Sequence, residues 1–127
     1  MLMSNGRGYG GIEKIFIMKA KKYDNNKPMY HTAPTYGIEE MVKVFTYGAN
    51  KYGAFNHHDG IEYCRYVNAA VRHINDYLQG EDIDESGLPH LAHAAASLLI
   101  VVESMKLGFG EDDRNPKYLD YNEAKEN

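Results

Sequence analysis

The sequence predicts an all-α protein, a small bundle of three main helices with peripheral elements. Three observations predict it. Apolar residues recur at three- and four-residue spacing over two segments, about 38–52 and 61–78. A third segment, from Pro89 to about Leu107, is apolar nearly all round. Gly53 and Gly80 end the first two segments, and connections this short favour antiparallel neighbours. At 127 residues the chain is long enough for one domain with its own core.

The elements follow in order. Residues 1–11, MLMSNGRGYGG, read as a flexible Gly-rich terminus, and no Gly-Lys-Ser/Thr follows to make them a phosphate loop. Residues 12–127 read as a single helical domain with a polar tail. Ile12–Met18 is short, β-branched and aromatic, which suits a strand or a helical turn equally. Lys21–Tyr36 carries Pro28 and Pro34 and reads as an ordered loop. The first helix places Ile38, Met41, Val42, Phe45, Ala49 and Tyr52 on one face, with Glu39 and Glu40 at its positive end. The second has Ile61, Cys64, Val67, Val71, Ile74 and Leu78 as its apolar stripe. Arg65, Asn68, Arg72 and Asp76 form another stripe, with Tyr66, Ala69, His73 and Tyr77 between the two. An acidic loop, EDIDESG, spans residues 81–87. Pro89 suits the first turn of the third helix, whose apolar character places it centrally in the core. The polar tail from Gly110 is expected to be a peripheral helix or an arm reaching a neighbouring subunit.

Composition removes several function classes. A formal charge of −4 leaves no broad basic field for polymeric DNA or RNA, although a local Arg/Lys cluster can still hold a small anion. The longest apolar run, Leu91–Val102, is diluted by four alanines and Ser97 and is too short for a bilayer, so no membrane partner is expected. The N-terminus lacks a signal-peptide pattern, and the lone Cys64 suits a reducing cytoplasm. Eleven tyrosines without a tryptophan offer flat apolar area with a polar tip, useful against bases and in oligomer interfaces.

The chemistry concentrates between Arg65 and His93. His90 and His93 are one helical turn apart on one face, a chelating spacing. Their alternative reading is as hydrogen-bonded core residues. Glu81, Asp84 and Glu85 precede them in the acidic loop, while Asp82 reads as solvated. Carboxylates suit Mg²⁺ or Mn²⁺, and imidazoles pull toward Mn²⁺, Zn²⁺ or another transition metal. Arg65 and Arg72 lie two turns apart on one face, and their planar forks suit phosphate, the plain alternative being an ion pair of Arg72 with Asp76. Lys27 and Lys51 are further phosphate candidates, and Tyr52 and Asn56 are candidates for the rest of a nucleotide.

Four ordered blocks carry a family resemblance: KYDNNKP (22–28), EEMVKVFTYGANKYG (39–53) with Asn56, RYVNAAVRH (65–73) and GEDIDESGLPHLAHAA (80–95). Together they resemble the phage family of dATP/dGTP diphosphohydrolase N-terminal domains, over about residues 20–106. That family is similar to the all-α, MazG-like NTP pyrophosphatases, which hold Mg²⁺ or Mn²⁺ with carboxylates on two helices. The resemblance implies a dimer or tetramer. His90-x-x-His93 stands where those enzymes carry Glu-x-x-Asp, with His73 on the preceding helix, and His57 stands where the family often has tryptophan. Glu81, Asp84 and Glu85 would restore the negative charge.

The expected function is a metal-dependent pyrophosphohydrolase cleaving a nucleoside triphosphate, a purine dNTP by resemblance, to monophosphate and pyrophosphate. Glu81, Asp84 and Glu85 are the expected catalytic carboxylates. His73, Glu81, Asp84, His90 and His93 are the expected metal ligands. Lys27, Lys51, Tyr52, Asn56, Arg65 and Arg72 are expected to hold the nucleotide. The alternative is a non-catalytic phage protein that sequesters a nucleotide or a nucleotide signal in the host cytoplasm.

Overall fold

The computed structural model describes residues 20–126, so the Gly-rich segment 1–11 and the Ile12–Met18 run lie outside the described residues. The chain divides into two compact units, Met1–Thr32 and Ala33–Asn127. In the first, a turn closes from the Lys27 N–H to the Asp24 carbonyl, and a 3₁₀ turn spans Tyr30–Thr32. The Thr32 hydroxyl donates to the Met29 carbonyl.

The second unit is helical, with no strand among the described residues. Its helices are α1 (Thr35–Tyr52), α2 (Tyr63–Leu78), α3 (His90–Leu107) and α4 (Pro116–Glu126). The sequence boundaries of the three main helices hold to within three residues, and the tail does form a peripheral helix. Gly53, at φ 95°, stops α1 by a backbone turn that a side chain would strain. Pro89 caps α3 from just outside its first residue.

α3 is the shared helix, packing against α2 and less extensively against α1. Small residues are among the most buried on both helices. Ala70 is fully buried, and Ala92, Ala94 and Ala96 are nearly so. At 18 residues and mean hydropathy 1.2, α3 is longer than the Leu91–Val102 run and reaches a membrane span by length and composition. In this fold it is the helix that α1 and α2 share.

The structure corrects the predicted buried faces. On α2 the buried side is Tyr63 and Ala70, with Tyr66, Ala69 and His73 half-buried beside them. The predicted stripe is largely open: Val67, Val71, Ile74 and Leu78 are exposed. The physical reason is that His73 finds its hydrogen-bond partner, His90, on α3, and the side of α2 that carries His73 also carries the small Ala70. On α1, Met41, Val44, Phe45, Gly48 and Ala49 are half-buried, whereas Ile38, Val42 and Tyr52 are exposed. Val42 and Tyr52 front a cleft rather than a core. The outer side of α3 is open too, with Leu91, Leu98, Leu99, Val102 and Met105 exposed, so the helix is central to the packing but not enclosed by it.

A clamp closes the start of α2. The Tyr63 N–H donates to the Glu111 carbonyl, the Cys64 N–H to Asp113 Oδ1, and the Tyr63 hydroxyl to the Phe109 carbonyl. The two backbone bonds satisfy the first two orphan donors of the helix with groups from beyond α3.

Candidate functional site

The site begins with the loop joining α2 to α3. Gly80 turns the chain at φ 96°, and Gly87 does so again at φ 84°. Between them the loop folds back on itself. Asp84 N–H donates to the Leu88 carbonyl, and Ile83 bridges to Pro89. Asp84 Oδ2 accepts from the Ser86 N–H at 2.9 Å, an Asx turn that fixes the carboxylate. The His90 N–H donates to the Asp82 carbonyl, tying the loop to the head of α3.

This loop meets three histidines. His90 is only 2% exposed. Its Nε2–H donates to Glu81 Oε1 at 2.8 Å. That bond fixes the tautomer and leaves His90 Nδ1 as a bare acceptor. His73 Nδ1–H donates to it at 2.8 Å, across the α2–α3 interface. The His73 and His93 rings stack at 4.7 Å with 14° between planes. His93 Nε2 hydrogen-bonds Ser86 Oγ at 2.8 Å and lies 3.5 Å from Asp84 Oδ2. Asp84 Oδ1 stands 3.9 Å from His90 Nδ1 and 4.0 Å from His73 Nδ1, and Asp76 Oδ2 lies 3.8 Å from His90 Nδ1.

Burial lowers the His73 and His93 imidazoles below the ordinary histidine value, against the pull of Asp84. Burial alone would raise Asp84. Hydrogen bonds from the Ser86 backbone and hydroxyl, with His93 and His73 nearby, outweigh it and hold Asp84 below the ordinary carboxylate value. His73 and His93 are therefore neutral, and Asp84 ionised, at neutral pH.

His73, Asp76 and His90 offer donor atoms within 4.8 Å of one another, a group that could hold a metal ion. A tetrahedral or octahedral ion with ligands at about 2.1 Å needs donors about 3.0–3.5 Å apart. The observed 2.8 and 3.8 Å separations bracket that range, and an ion there would take the place of the His73 Nδ1 proton, which the ring can carry on Nε2 instead. Glu81 on the far nitrogen of His90 matches the outer carboxylate that orients metal-bound imidazoles.

A cleft of about 850 Å³ opens beside this cluster. Arg65, Asn68 and Arg72 line it from α2, Tyr52 and Asn56 from the end of α1 and its following loop, and His93 and Ser97 from α3. Arg72 makes no ion pair among the described residues, because Asp76 turns to His90 instead. Arg65 is mostly exposed and pairs loosely with Glu62 at 3.6 Å. The Lys51 ammonium lies over the Tyr47 and Tyr52 rings, at 5.9 and 5.2 Å.

The predicted site residues thus fall into groups. His73, His90, His93, Glu81 and Asp84 come together. Arg65, Arg72, Tyr52 and Asn56 line the adjoining cleft, with Lys51 above Tyr52. Glu85 is exposed on the turn, and Lys27 is exposed in the first unit. Sequence reasoning missed Asp76 as a partner of the histidines. A signal for Asp76 was present: His73-x-x-Asp76 has the same one-turn spacing as His90-x-x-His93.

Residues 18–114 match the family described as dATP/dGTP diphosphohydrolase, N-terminal. A dATP/dGTP diphosphohydrolase of Salmonella phage PMBT28 is 33% identical over 99 residues, covering 76% of this chain and 33% of that protein. The chain thus spans about a third of that relative's length. No solved structure matches the chain. The family match contains α1, α2, α3 and the whole acidic loop, and so both halves of the site. The chain belongs to the dATP/dGTP diphosphohydrolase N-terminal family.

Proposed function

We propose that the protein is a metal-dependent nucleotide pyrophosphohydrolase that cleaves a purine dNTP to its monophosphate and pyrophosphate. The observation that carries this reading is the junction of cleft and cluster. Arg72 and His93 line the cleft, and the residue after Arg72, His73, belongs to the metal-capable group. A nucleotide lying in the cleft would bring its phosphates to that junction. The names of the family and of the phage relative support the substrate class.

His73, Asp76 and His90 would hold the ion. Two imidazoles with a carboxylate favour Mn²⁺ or Zn²⁺ over Mg²⁺. When bound, the ion supplies charge neutralisation of the phosphates and polarises the bond to be broken. The chain's own groups do the rest. Arg72 and Lys51 bind and orient the phosphates, and Arg65 adds positive charge farther along the same wall of the cleft. Asp84 is ionised, set between the three histidines, and accepts a hydrogen bond from the attacking water. His93, neutral and paired with Ser86, is placed to take the water's proton. Water adds to the α-phosphorus, the bond to the bridging oxygen breaks, and pyrophosphate leaves. Glu81 keeps His90 in its productive tautomer, and Glu85 adds negative charge at the rim.

Incubating the protein with each dNTP and Mn²⁺ or Mg²⁺, followed by chromatography, tests this. Absence of pyrophosphate release with every nucleotide sinks the enzyme reading. A second reading, nucleotide sequestration without turnover, is favoured by one observation: Glu81 and Asp84 are already engaged, with His90 and Ser86. It predicts tight binding with the ligand recovered intact. We also propose that two or four copies assemble through the exposed Val71, Leu78, Leu98 and Val102 side chains of α2 and α3. The reading places the protein in the cytoplasm of a phage-infected cell.

A further inference from the structure

Phe55 takes no part in the chemistry above, yet its conformation stands out. Its backbone is left-handed, φ 63° and ψ 20°. Among the described residues, positive φ otherwise falls on glycines and on Asn26, which tolerate it. A bulky aromatic residue does not. Packing does not account for the strain, because the Phe55 side chain is 69% exposed. Strain of this kind persists where the surrounding structure holds a geometry that function uses.

The exposed ring is nevertheless supported. One face lies nearly parallel to His58, 5.5 Å between centroids at 18°. His58 is backed in turn by His57 at 4.4 Å and Phe109 at 5.0 Å. Phe55 therefore presents its other face from a firm base, and it lines the same cleft as Arg72 and His93. Its place along the cleft follows from its neighbour. His57 shares a small cavity with Phe45, Leu99 and Ile100. Ile100 is seven residues, roughly 10 Å, along α3 from His93. The shelf thus stands at the end of the cleft remote from the histidine cluster. Asn56, beside it, offers a donor and an acceptor.

We infer that Phe55 is the stacking platform for the nucleobase, with Asn56 reading the base edge, while the phosphates run toward Arg72 and His93. The inference rests on the nucleotide reading of the cleft and deepens it. Stacking on one face is stronger for a larger ring system, so the shelf favours purines over pyrimidines.

Equilibrium binding separates this inference from the hydrolysis it accompanies. Calorimetry with Mn²⁺ would use two probes, a dATP analogue with a non-hydrolysable α,β-methylene bridge and inorganic pyrophosphate, which has no base. Phe55→Gly, which relieves the backbone strain, is expected to weaken the dATP analogue about 10- to 100-fold. Pyrophosphate affinity should be unchanged and the melting temperature no lower. Phe55→Leu keeps an apolar side chain and should show the same selective loss, so it carries the comparison if the glycine variant is unstable. Retained analogue affinity in both variants overturns the shelf, as does an equal loss for pyrophosphate. A wild-type protein that binds neither probe overturns the shelf and the proposed function together. Selective loss without pyrophosphate release from any dNTP upholds the shelf and removes hydrolysis alone.

Discussion

Replacing Glu81 with alanine leaves the donor group of His73, Asp76 and His90 in place and removes the carboxylate behind His90. In the native arrangement the His90 Nε2–H donates to Glu81 Oε1 at 2.8 Å. The Glu81 side chain is 64% exposed, so its contribution to folding is screened and amounts to under about 1 kcal/mol. Its contribution to metal binding is larger. Without the carboxylate, His90 is free to carry its proton on Nδ1, the atom that faces His73 and Asp76. Outer carboxylates of this kind are worth about 10- to 100-fold in metal affinity, or about 1.4–2.7 kcal/mol. Thermal melts of the metal-free variant should therefore stay close to wild type, while titration with Mn²⁺ should give a Kd raised by about 10- to 100-fold. Asp82→Asn is the control. It removes the same charge from the same loop, but Asp82 meets His90 through its backbone carbonyl. Its Mn²⁺ affinity should remain near wild type. Equal losses in the two variants would refute the tautomer argument and leave only a general charge effect.

Three further outcomes follow from the geometry. Because burial lowers His73 and His93 in the folded state, the unfolded chain binds more protons as pH falls. Their stabilising contribution is complete above the ordinary histidine value of about 6.5 and is lost as pH drops through the lowered values. Asp84, also lowered, adds a loss in the acid range below its ordinary 3.8. Urea denaturation of the metal-free protein from about pH 8 to pH 5 should show falling stability, and a rise would contradict the sign. Gly110→Ala should destabilise the fold by about 2–4 kcal/mol, because φ is 72° there and an added Cβ would stand 2.5 Å from the Ile61 carbonyl oxygen. A shift in denaturation midpoint too small to measure would show that the clamp yields freely. Arg72→Ala should weaken nucleotide binding about 10- to 100-fold with little change in melting temperature, and Arg72→Lys should recover only part, since a point charge replaces a fork. Full recovery by lysine would argue against bidentate phosphate contact.

The helices were legible because their evidence is local. Glycines at 53 and 80, proline at 89 and three-four spacing mark their bounds from sequence alone. The direction each helix faces was less legible. The Val67–Val71–Ile74–Leu78 stripe looked like the buried one because it is the most apolar, but burial on α2 is decided by what α3 offers. There, the His73–His90 hydrogen bond and the small Ala70 beside it win over bulk. The same limit applies to the site. The chelating step from His90 to His93 lies along one helix and is visible as spacing. The bond from His73 to His90 joins residues seventeen apart on two different helices, and spacing does not encode it. Asp76 entered only as an alternative ion-pair partner for Arg72, one turn away, whereas it stands 3.8 Å from His90 Nδ1. Phe55 was passed over in a loop whose composition looks ordinary, and its backbone conformation alone singles it out.

The clamp at the start of α2 also makes that helix's first amides reporters of a distant event. The Tyr63 and Cys64 amide protons are protected by Glu111 and Asp113, residues that follow α3. They can exchange with solvent whenever the stretch after α3 lifts away, even while the rest of α2 stays wound. Protection at these two positions thus measures the attachment of the chain beyond residue 108, and protection at Ala70 measures the α2–α3 interface. Opening of the clamp would also free the end of α2 that carries Arg65, so hydrogen exchange at two backbone positions would register, ahead of any global unfolding, the loosening of one wall of the cleft.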